Sequence, residues 1–191
     1  MKRNTFLLFG LGLATLLMGG CEDADYSTLS DQAFIAQTST NGNSSEKITI
    51  GTDPVTTSVN VRLSDPTSEP CSFRLEVDTT VLADYNRHNS TSYVALPEGQ
   101  YSLDNSQAIV EAGESLSSPI DITLNPLTEQ MKNSGAKFAL PLRLVSTDGK
   151  KGVLNSGSSI VVLLDQVIYT PVPILNSRNN FKFLWNTSAD N

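Results

Sequence analysis

The residues that could support catalysis are sparse in this chain. His88 is the sole imidazole, so Ser-His-Asp or Cys-His chemistry would have to use it. Asp84, four residues earlier, could orient the ring on a helix, but neither Cys71 nor any serine stands in a nucleophile elbow. We therefore interpret His88 as an exposed helix residue.

Other patterns that carry chemistry are equally incomplete. Ser134 and Lys137 have the Ser-x-x-Lys spacing of penicillin-binding enzymes without its companion motifs, and no phosphate loop, zinc spacing or calcium loop occurs. Glycoside hydrolysis would need two carboxylates at a defined separation, and any acidic chain supplies candidates. The candidates here are Glu76, Asp78, Glu98, Glu111 and Glu114. The sequence predicts no enzymatic activity, no metal and no cofactor.

Carbohydrate binding makes lower demands, because one or two exposed aromatic rings with nearby amides suffice. Tyr85, Asn86, Tyr93 and Tyr101 form the candidate set if a predicted helix and the turn before Tyr101 lie together. The alternative, equally compatible with the pattern, is that Tyr85 and Tyr101 are core aromatics.

The first twenty residues predict a lipoprotein signal peptide. Lys2 and Arg3 precede an apolar run from Phe6 to Leu17, which is shorter than the about 20 residues of a membrane span. Two glycines then precede Cys21, which predicts cleavage after residue 20 and acylation of the Cys21 sulfur. An ordinary secreted protein with an incidental cysteine is the alternative. The acylated cysteine would attach the protein to the outer membrane.

Residues 21–33 form a predicted acidic tether. Removing residues 1–20 takes two of the 13 basic residues and none of the 20 acidic ones, so 11 basic residues remain and the net charge becomes −9. This acidity excludes nucleic acid as a partner. The sequence EDAD at 22–25 resembles the surface-export signal of Bacteroidetes lipoproteins and indicates a cell-surface location; a merely solvated tether is the alternative.

Alternating apolar residues predict seven to nine short strands between residues 34 and 168. The clearest runs lie at 59–63, 71–77, 120–124 and 138–144, and the continuous apolar run 160–164 is typical of a central strand. Pro141 cannot donate to a ladder, so it should lie at an edge or a bulge. Glycines at 99 and 113 should close turns with positive φ.

One segment has helical spacing instead. Val81, Leu82, Tyr85 and either His88 or Asn89 share a face, and Asp78 should cap the helix. We therefore predict an all-β fold: an immunoglobulin-like two-layer antiparallel β-sandwich with one short helix covering an end or an edge. Cys71, left without a partner once Cys21 is acylated, should be a buried free thiol.

Residues 169–191 differ from the sandwich. Pro171 and Pro173 stiffen an exit, and FKFLW at 181–185 alternates like a fresh strand. This segment is predicted to be a linker and the first strand of an absent second domain, or a strand that pairs with the sandwich edge.

Five phrases, taken in order, resemble a domain of unknown function at the N-terminus of Bacteroidetes surface lipoproteins. These are LEVD at 75–78, DYN at 84–86, LPEGQYSL at 96–103, IVEAGE at 109–114 and LPLRL at 140–144. The resemblance implies a lipid-anchored immunoglobulin-like sandwich, often followed by a laminin-G-like lectin domain or a family 18 glycoside hydrolase of the endo-β-N-acetylglucosaminidase type. The chain departs from this pattern by ending where the second domain should start, so that domain's functions are not carried over.

The sequence DTT at 78–80 resembles the short O-glycosylation acceptor of exported Bacteroidetes proteins, with Thr79 as acceptor; helix capping explains Asp78 equally well. Together these features predict a lipid-anchored accessory module of a glycan-binding or glycan-degrading system, acting as a spacer or weak carbohydrate binder. Its partners would be the membrane, glycans, and outer-membrane glycan-uptake proteins or glycoside hydrolases. The alternative function is a structural or adhesion subunit that assembles by addition of its C-terminal strand.

Overall fold

A computed structural model describes residues 30–39, 44–104 and 106–166. The predicted signal peptide, Cys21, most of the acidic tether and the segment 169–191 lie outside the described residues. All described helices and strands belong to Asp31–Asn191, one of two compact units of the chain.

The described residues form twelve strands, two α-helices and a 3₁₀ turn, so the fold is all-β as predicted. The strands are β1 (Gln32–Ile35), β2 (Ser45–Ile50), β3 (Val55–Val59), β4 (Val61–Leu63), β5 (Cys71–Val77), β6 (Val94–Ala95), β7 (Tyr101–Asp104), β8 (Gln107–Val110), β9 (Ile120–Leu124), β10 (Phe138–Ser146), β11 (Gly152–Val153) and β12 (Ser159–Gln166). The helices are α1 (Thr79–Asn89) and α2 (Glu129–Asn133), and the 3₁₀ turn is Asn155–Gly157.

The largest sheet has the order β2-β12-β10-β5-β8, with β6 paired to β10. Its central strands are antiparallel, with Leu142 opposite Ile160 on β12 and Leu144 opposite Leu75 on β5. The continuous apolar strand β12 lies inside the sheet, as its composition predicts, because both of its faces are covered.

Two three-stranded sheets, β11-β1-β4 and β3-β9-β7, complete the fold. The alternating run at 59–63 was expected to be one strand, but it divides at Asn60 between these two sheets. The Asn60 side-chain Nδ2 donates to the Ser117 carbonyl at 3.1 Å, and the Asn60 main-chain carbonyl accepts from Ala36 N at 2.8 Å. Both hydrogen bonds hold the chain where it passes from one sheet to the other. The alternation of apolar and polar side chains continues unbroken through this point, so the sequence pattern does not reveal it.

A single core is shared by all three sheets. Its largest fully buried side chains are Phe73, Ile35, Ile50, Leu75, Ile120, Ile122, Leu124, Leu140, Leu142, Ile160, Val59 and Val61. Burying side chains of this size contributes about 1.5–3 kcal/mol each. Cys71 is also buried in this core as a free thiol, as predicted, and contacts Thr67 Oγ1 at 3.3 Å.

The antiparallel prediction holds for the central ladders but misses three parallel pairs, β1 with β11, β10 with β6 and β12 with β2. The number of strands also exceeds the seven to nine predicted, because β6 and β11 are two-residue pairings without an alternating pattern and the run 59–63 belongs to two strands. Side-chain alternation is the same for both strand directions, so it cannot reveal which way a partner runs.

Pro141 does not lie on an edge strand, contrary to expectation, since β10 is paired on both sides. It faces the point where one neighbour ends and the next begins: β6 pairs only with Phe138 and Ala139, and β5 pairs from Leu142 onward. The Pro141 carbonyl still accepts from Asp78 N at 3.2 Å. The missing N–H therefore falls in the gap between two neighbouring strands.

The predicted glycine turns are confirmed, with φ of 86° at Gly99 and 89° at Gly113. The second helix was not predicted, because α2 has only five residues and no buried side chain to produce an apolar period. Thr128 caps it by accepting from Met131 N at 3.3 Å.

Candidate functional site

Helix α1 begins at Asp78, as the sequence predicts. One Asp78 carboxylate oxygen accepts from Thr80 N at 2.8 Å and from Thr80 Oγ1 at 2.7 Å, which completes the N-cap. The helix ends at Ser90, whose backbone is left-handed with φ of 52°. Both ends are therefore set by local polar contacts.

Arg143 joins the start of α1 to the large sheet. Its Nε donates to the second Asp78 oxygen at 2.5 Å, and its Nη2 donates to Thr80 Oγ1 at 3.3 Å. Hydrogen bonds from Thr80 and Arg143 lower the pKa of Asp78 to about 2. Arg143 lies on β10, opposite Glu76 of β5 and Ser159 of β12 in the strand register. Its contact with Asp78 therefore fixes the start of the helix relative to these strands.

The helix lies on the outer face of the large sheet, which corrects the expectation that it would cover an end or an edge. Val81 and Leu82 are buried against Ala139, Val161 and Leu163 in a second, smaller cluster. These strand residues alternate with those that point into the main core, so β10 and β12 are apolar on both faces. That second apolar face is what the helix covers.

A groove of about 260 Å³ runs between α1, the large sheet and the 3₁₀ turn. Residues from four separate segments line it: Ser44; Val81, Asp84, Tyr85 and His88 of α1; Arg143; and Asn155, Ser158, Ser159 and Val161. We call it the α1 groove. Its wall combines one aromatic ring with an imidazole, a guanidinium, an amide and hydroxyls.

The His88 ring lines this groove but lacks the acid partner of a catalytic triad. Its Nδ1 lies 2.8 Å from the Asp84 main-chain carbonyl, which can only accept, so Nδ1 carries the proton. In the neutral ring Nε2 is therefore an acceptor. The Asp84 carboxylate pairs instead with Arg87 at 2.8 Å. The Asp84–His88 catalytic contact considered from the sequence is not formed.

Three of the four predicted carbohydrate residues lie together. The Tyr85 and Tyr93 rings meet edge to face, with centroids 6.3 Å apart, and both pack on the smaller cluster. The Asn86 side chain donates to the Tyr93 carbonyl and accepts from Tyr93 N, each at 2.9 Å, and also accepts from Thr91 Oγ1. Asn86 thus fixes the main chain at Tyr93, whose ring contacts Tyr85, and Tyr85 also lines the α1 groove.

Tyr101 is not part of this group. It lies on β7 and packs partly buried against the main core. Burial and the nearby Glu98 carboxylate raise the pKa of Tyr101. The expectation that the helix and the turn before Tyr101 would bring all four residues together is not met.

Sequence reasoning missed the strand half of the groove. The helix half was readable, because Val81, Tyr85 and His88 repeat at i, i+4 and i+7. Arg143 and Asn155 lie more than fifty residues further on, and no local pattern links them to α1. An arginine among the apolar residues of β10 was the one available signal, because a long charged side chain in a covered strand needs a partner.

Of the two predicted modification sites, Thr79 and Cys21, the first is not among the residues that line the α1 groove. Thr79 is exposed as the first residue of α1, while Cys21 lies outside the described residues. Among the residues that the structure describes, no group of three or more His, Cys, Asp or Glu side chains could hold a metal ion. No helix in that part of the chain is long and apolar enough to cross a membrane.

These features define an all-β sandwich domain with a polar groove beneath one surface helix. A family model described as an N-terminal domain matches residues 29–151, and the chain belongs to this family of N-terminal domains. No curated protein matches the chain at a significant level.

Several solved Bacteroides structures share the fold. A candidate carbohydrate-binding protein from Bacteroides ovatus is 18% identical with a TM-score of 0.59, over 72% of this chain and 37% of that one. EndoBT-3987 of Bacteroides thetaiotaomicron, solved with a Man5GlcNAc product, is 16% identical with a TM-score of 0.54, over 64% of this chain and 28% of that one. A two-domain protein of unknown function from Bacteroides fragilis is 13% identical with a TM-score of 0.56, over 88% of this chain and 52% of that one. The chain thus spans about a quarter to a half of each relative.

Proposed function

We propose that this protein is a lipid-anchored, cell-surface accessory module of a glycan-binding or glycan-degrading system, and that it binds carbohydrate weakly in the α1 groove. The observation that carries the proposal is the lining of that groove, where Tyr85 lies beside His88, Arg143 and Asn155. Sugar rings combine apolar C–H faces with hydroxyls, and sites for them pair an aromatic surface with polar groups that fix orientation.

The charges around the groove are balanced. Arg143 is paired with Asp78, and Asp84 is paired with Arg87, so neither a free cation nor a free carboxylate dominates the groove. The polar groups nevertheless include both kinds of hydrogen-bonding partner: donors on Arg143, and the Nε2 acceptor of neutral His88. This combination suits the hydroxyl groups of a neutral sugar.

The size of the groove is consistent with weak binding. A volume of about 260 Å³ falls below the range of about 300–1,000 Å³ that is usual for small-molecule pockets. It suits about one sugar ring, for which we expect a Kd on the order of 1 mM. An accessory module of this kind would hold a larger partner near the glycan rather than capture glycan alone.

Two further observations support the proposal. The similar Bacteroides structures include one candidate carbohydrate-binding protein and EndoBT-3987 with its glycan product. The spacing before Cys21 and the acidic residues after it favour acylation and surface display. In the mature protein the sandwich would then stand between the membrane and whatever binds or cleaves the glycan.

Glycan binding can be tested by a glycan-array screen of soluble residues 27–191, followed by calorimetry with host N-glycans and with plant or mucin polysaccharides. Saturable binding that weakens at least tenfold in Tyr85→Ala and in His88→Ala would support the α1 groove as the site. Tyr85→Phe keeps the ring and should bind nearly as well as the parent chain.

Tyr101→Phe is the matched control, because Tyr101 was a sequence candidate yet lies outside the α1 groove. Binding should be unchanged in this variant. The absence of binding at 10 mM of every glycan tested would remove carbohydrate recognition from the proposal and leave a spacer.

The anchor is tested separately in cells. Palmitate labelling and membrane fractionation should detect the acylated chain, and Cys21→Ala should abolish both signals. Proteinase shaving of intact cells should remove the protein, and replacing Glu22, Asp23 and Asp25 with Ala should protect it. An unlabelled chain in the soluble fraction would contradict the anchor, whatever the glycan result.

A further inference from the structure

A second groove, of about 400 Å³, lies beside β8 at the edge of the large sheet. It is lined by every second residue of two segments: Gln107, Ile109 and Glu111, and then Glu114, Leu116 and Ser118. We call it the β8 groove. Ile109 and Leu116 are 43% and 49% exposed, which makes them two of the three large apolar side chains exposed among the described residues.

The main chain of β8 is open toward this groove. In the ladder with β5, Leu75 N donates to the Ser106 carbonyl at 2.8 Å, and the pairing continues in register with Ile109 opposite Ser72. Main-chain groups of an antiparallel strand point alternately to its two sides, so the N–H and C=O groups of Gln107 and Ile109 point away from β5. Among the described strands, β8 has no second neighbour that could bind these groups.

The opposite wall of the groove is also open. The Ser115 carbonyl accepts a hydrogen bond from β4 at 2.8 Å, and Ser117 N donates one to β4 at 2.9 Å. Leu116, between them, lies opposite Arg62 in an isolated bridge, and its main chain hydrogen-bonds to no other described residue. The groove is therefore flanked by two strand-like edges with unused main-chain groups.

The two walls favour a single extended segment over a second copy of this sheet. The chain reverses between them at a turn in which Glu114 N donates to the Glu111 carbonyl at 3.0 Å, so residues 115–118 run opposite to β8. A second copy's β8 would bring its own β5 with it, and that strand would collide with residues 115–118. These residues cannot withdraw without breaking their hydrogen bonds to β4.

The charge of the lining selects the chemistry of that segment. Glu111 and Glu114 are exposed and form no ion pair among the described residues, and Arg62, across from Leu116, is not a lining residue. The lining therefore has two carboxylates and no cation. Glu111 lies two positions from Ile109, and strand side chains two positions apart share a face. A matching segment has a basic residue two positions from an apolar one.

We propose that the β8 groove binds an extended segment of a partner protein as an added strand, antiparallel to β8. A basic residue of this segment lies opposite Glu111, an apolar residue two positions later lies opposite Ile109, and a polar residue lies opposite Gln107. Its main chain pairs with the outward-facing groups of β8. This binding is separate from carbohydrate recognition, because the two grooves share no lining residue.

The test uses a fluorescein-labelled peptide, TKTITQT, in which lysine, isoleucine and glutamine alternate with threonine and so share one face of a strand. The control peptide TKITTQT has the same composition but places isoleucine on the opposite face. Fluorescence anisotropy with the mature chain, residues 21–191 with Cys21→Ser, should show saturable binding of TKTITQT and roughly tenfold weaker binding of TKITTQT. Equal binding of both peptides, or no binding of TKTITQT, would overturn the proposal.

A charge reversal tests the register. Glu111→Lys should weaken binding of TKTITQT roughly tenfold, and it should bind TETITQT, in which glutamate replaces lysine, more tightly than the parent chain does. Glu98→Lys, which changes an exposed glutamate outside the groove, is the matched control and should leave both affinities unchanged. Equal effects of the two variants would contradict the assigned position of the basic residue.

The main-chain pairing is tested at Ile109. Ile109→Ala shortens the side chain and keeps the outward N–H, whereas Ile109→Pro also removes that N–H without breaking a hydrogen bond to β5. Ile109→Pro should bind TKTITQT roughly tenfold more weakly than Ile109→Ala does. Far-UV circular dichroism should be the same for both variants. Equal affinities of two folded variants would rule out strand addition.

Two other occupants of the groove would give different results. A second copy would appear in analytical ultracentrifugation as a dimer that Ile109→Pro dissociates. The chain's own C-terminus would block the peptide until residues 174–191 are deleted. Either result would overturn the proposal, because the groove would then be filled by this chain and not by a partner protein.

Discussion

At the scale of single residues, Asp78 has two roles, since it caps α1 and pairs with Arg143. We expect Asp78→Ala to lower the free energy of unfolding by about 1–2 kcal/mol, because a cap and a charged hydrogen bond are lost together. Asp53→Ala, which removes an exposed carboxylate that accepts a hydrogen bond from the neighbouring Thr52 side chain, is the matched control. Urea unfolding at pH 7 measures both variants, and equal stabilities would contradict the role of Asp78.

The same residue should make stability depend on pH. The folded pKa of Asp78 is about 2, below its ordinary value of 3.8. Its contribution is therefore fully present above about pH 4 and is lost as the pH falls through about 2. The stability difference between the parent chain and Asp78→Ala should shrink over that interval in urea unfolding. A constant difference from pH 7 to pH 2 would assign the effect to packing alone.

Gly157 lies in the turn beside the α1 groove and packs against Phe34 of β1. A Cβ atom there would lie 2.6 Å from Phe34 Cβ, so the turn Asn155–Gly157 would have to move. We expect Gly157→Ala to lower the free energy of unfolding by about 1–3 kcal/mol. It should also lower the affinity for any ligand bound beside Asn155. Gly51→Ala, where nothing lies within 4 Å of the added atom, should leave ligand binding unchanged. Thermal unfolding and calorimetry report the two effects, and a fully stable Gly157→Ala would show that the turn can relax.

At the scale of elements, α1 determines where the helix wall of the groove lies. It ends at Ser90 in a left-handed conformation that favours glycine. Ser90→Gly should therefore raise the free energy of unfolding by about 0.5–1 kcal/mol. Ser92→Gly, in the loop that follows, should lower it slightly because only the unfolded chain gains freedom. Parallel urea titrations of the two variants decide, and a loss of stability in Ser90→Gly would mean that the serine side chain is needed at the cap.

A strand or helix could be predicted where its own residues show the apolar period of that structure. Strand β5 matches the alternating run 71–77 over its whole length, because each of its apolar residues enters the core. Helix α1 was predictable from Asp78 and the spacing of Val81, Leu82 and Tyr85. The division at Asn60 was not, since side-chain alternation continues unchanged when a chain passes from one sheet to the next.

At the scale of the whole molecule, the three sheets share one core, so the sandwich should unfold as a unit. Cys71 reports this directly, because it is 1% exposed and would be the only thiol of residues 27–191. Its labelling by a thiol reagent should be slow in the native protein and should follow the same urea transition as far-UV circular dichroism. Labelling at lower urea than the spectroscopic transition would reveal separate opening of β5 and the edge strand β8.

The α1 groove is formed by segments that are far apart in the sequence. His88 and Tyr85 were visible as residues of one helix face, but Arg143, Asn155 and Ser159 come from segments that meet the helix only after β10 and β12 have paired. Tyr101 shows the opposite case. It has the same residue type as Tyr85 and follows within twenty residues, yet its strand turns it toward the main core.

Features that depend on neighbouring residues could be predicted from the sequence: the periods of the strands, the cap of α1, the positive φ of Gly99 and Gly113, and the buried thiol. Strand direction, the position of α1 on the outer face of the large sheet, and the groove between them depend on long-range contacts and could be read only from the folded protein. The two groups of features differ in the sequence separation of the residues that set them. A period or a cap is set by side chains a few positions apart, whereas a groove wall is set by which distant strands find partners, and side-chain alternation is identical for every such pairing.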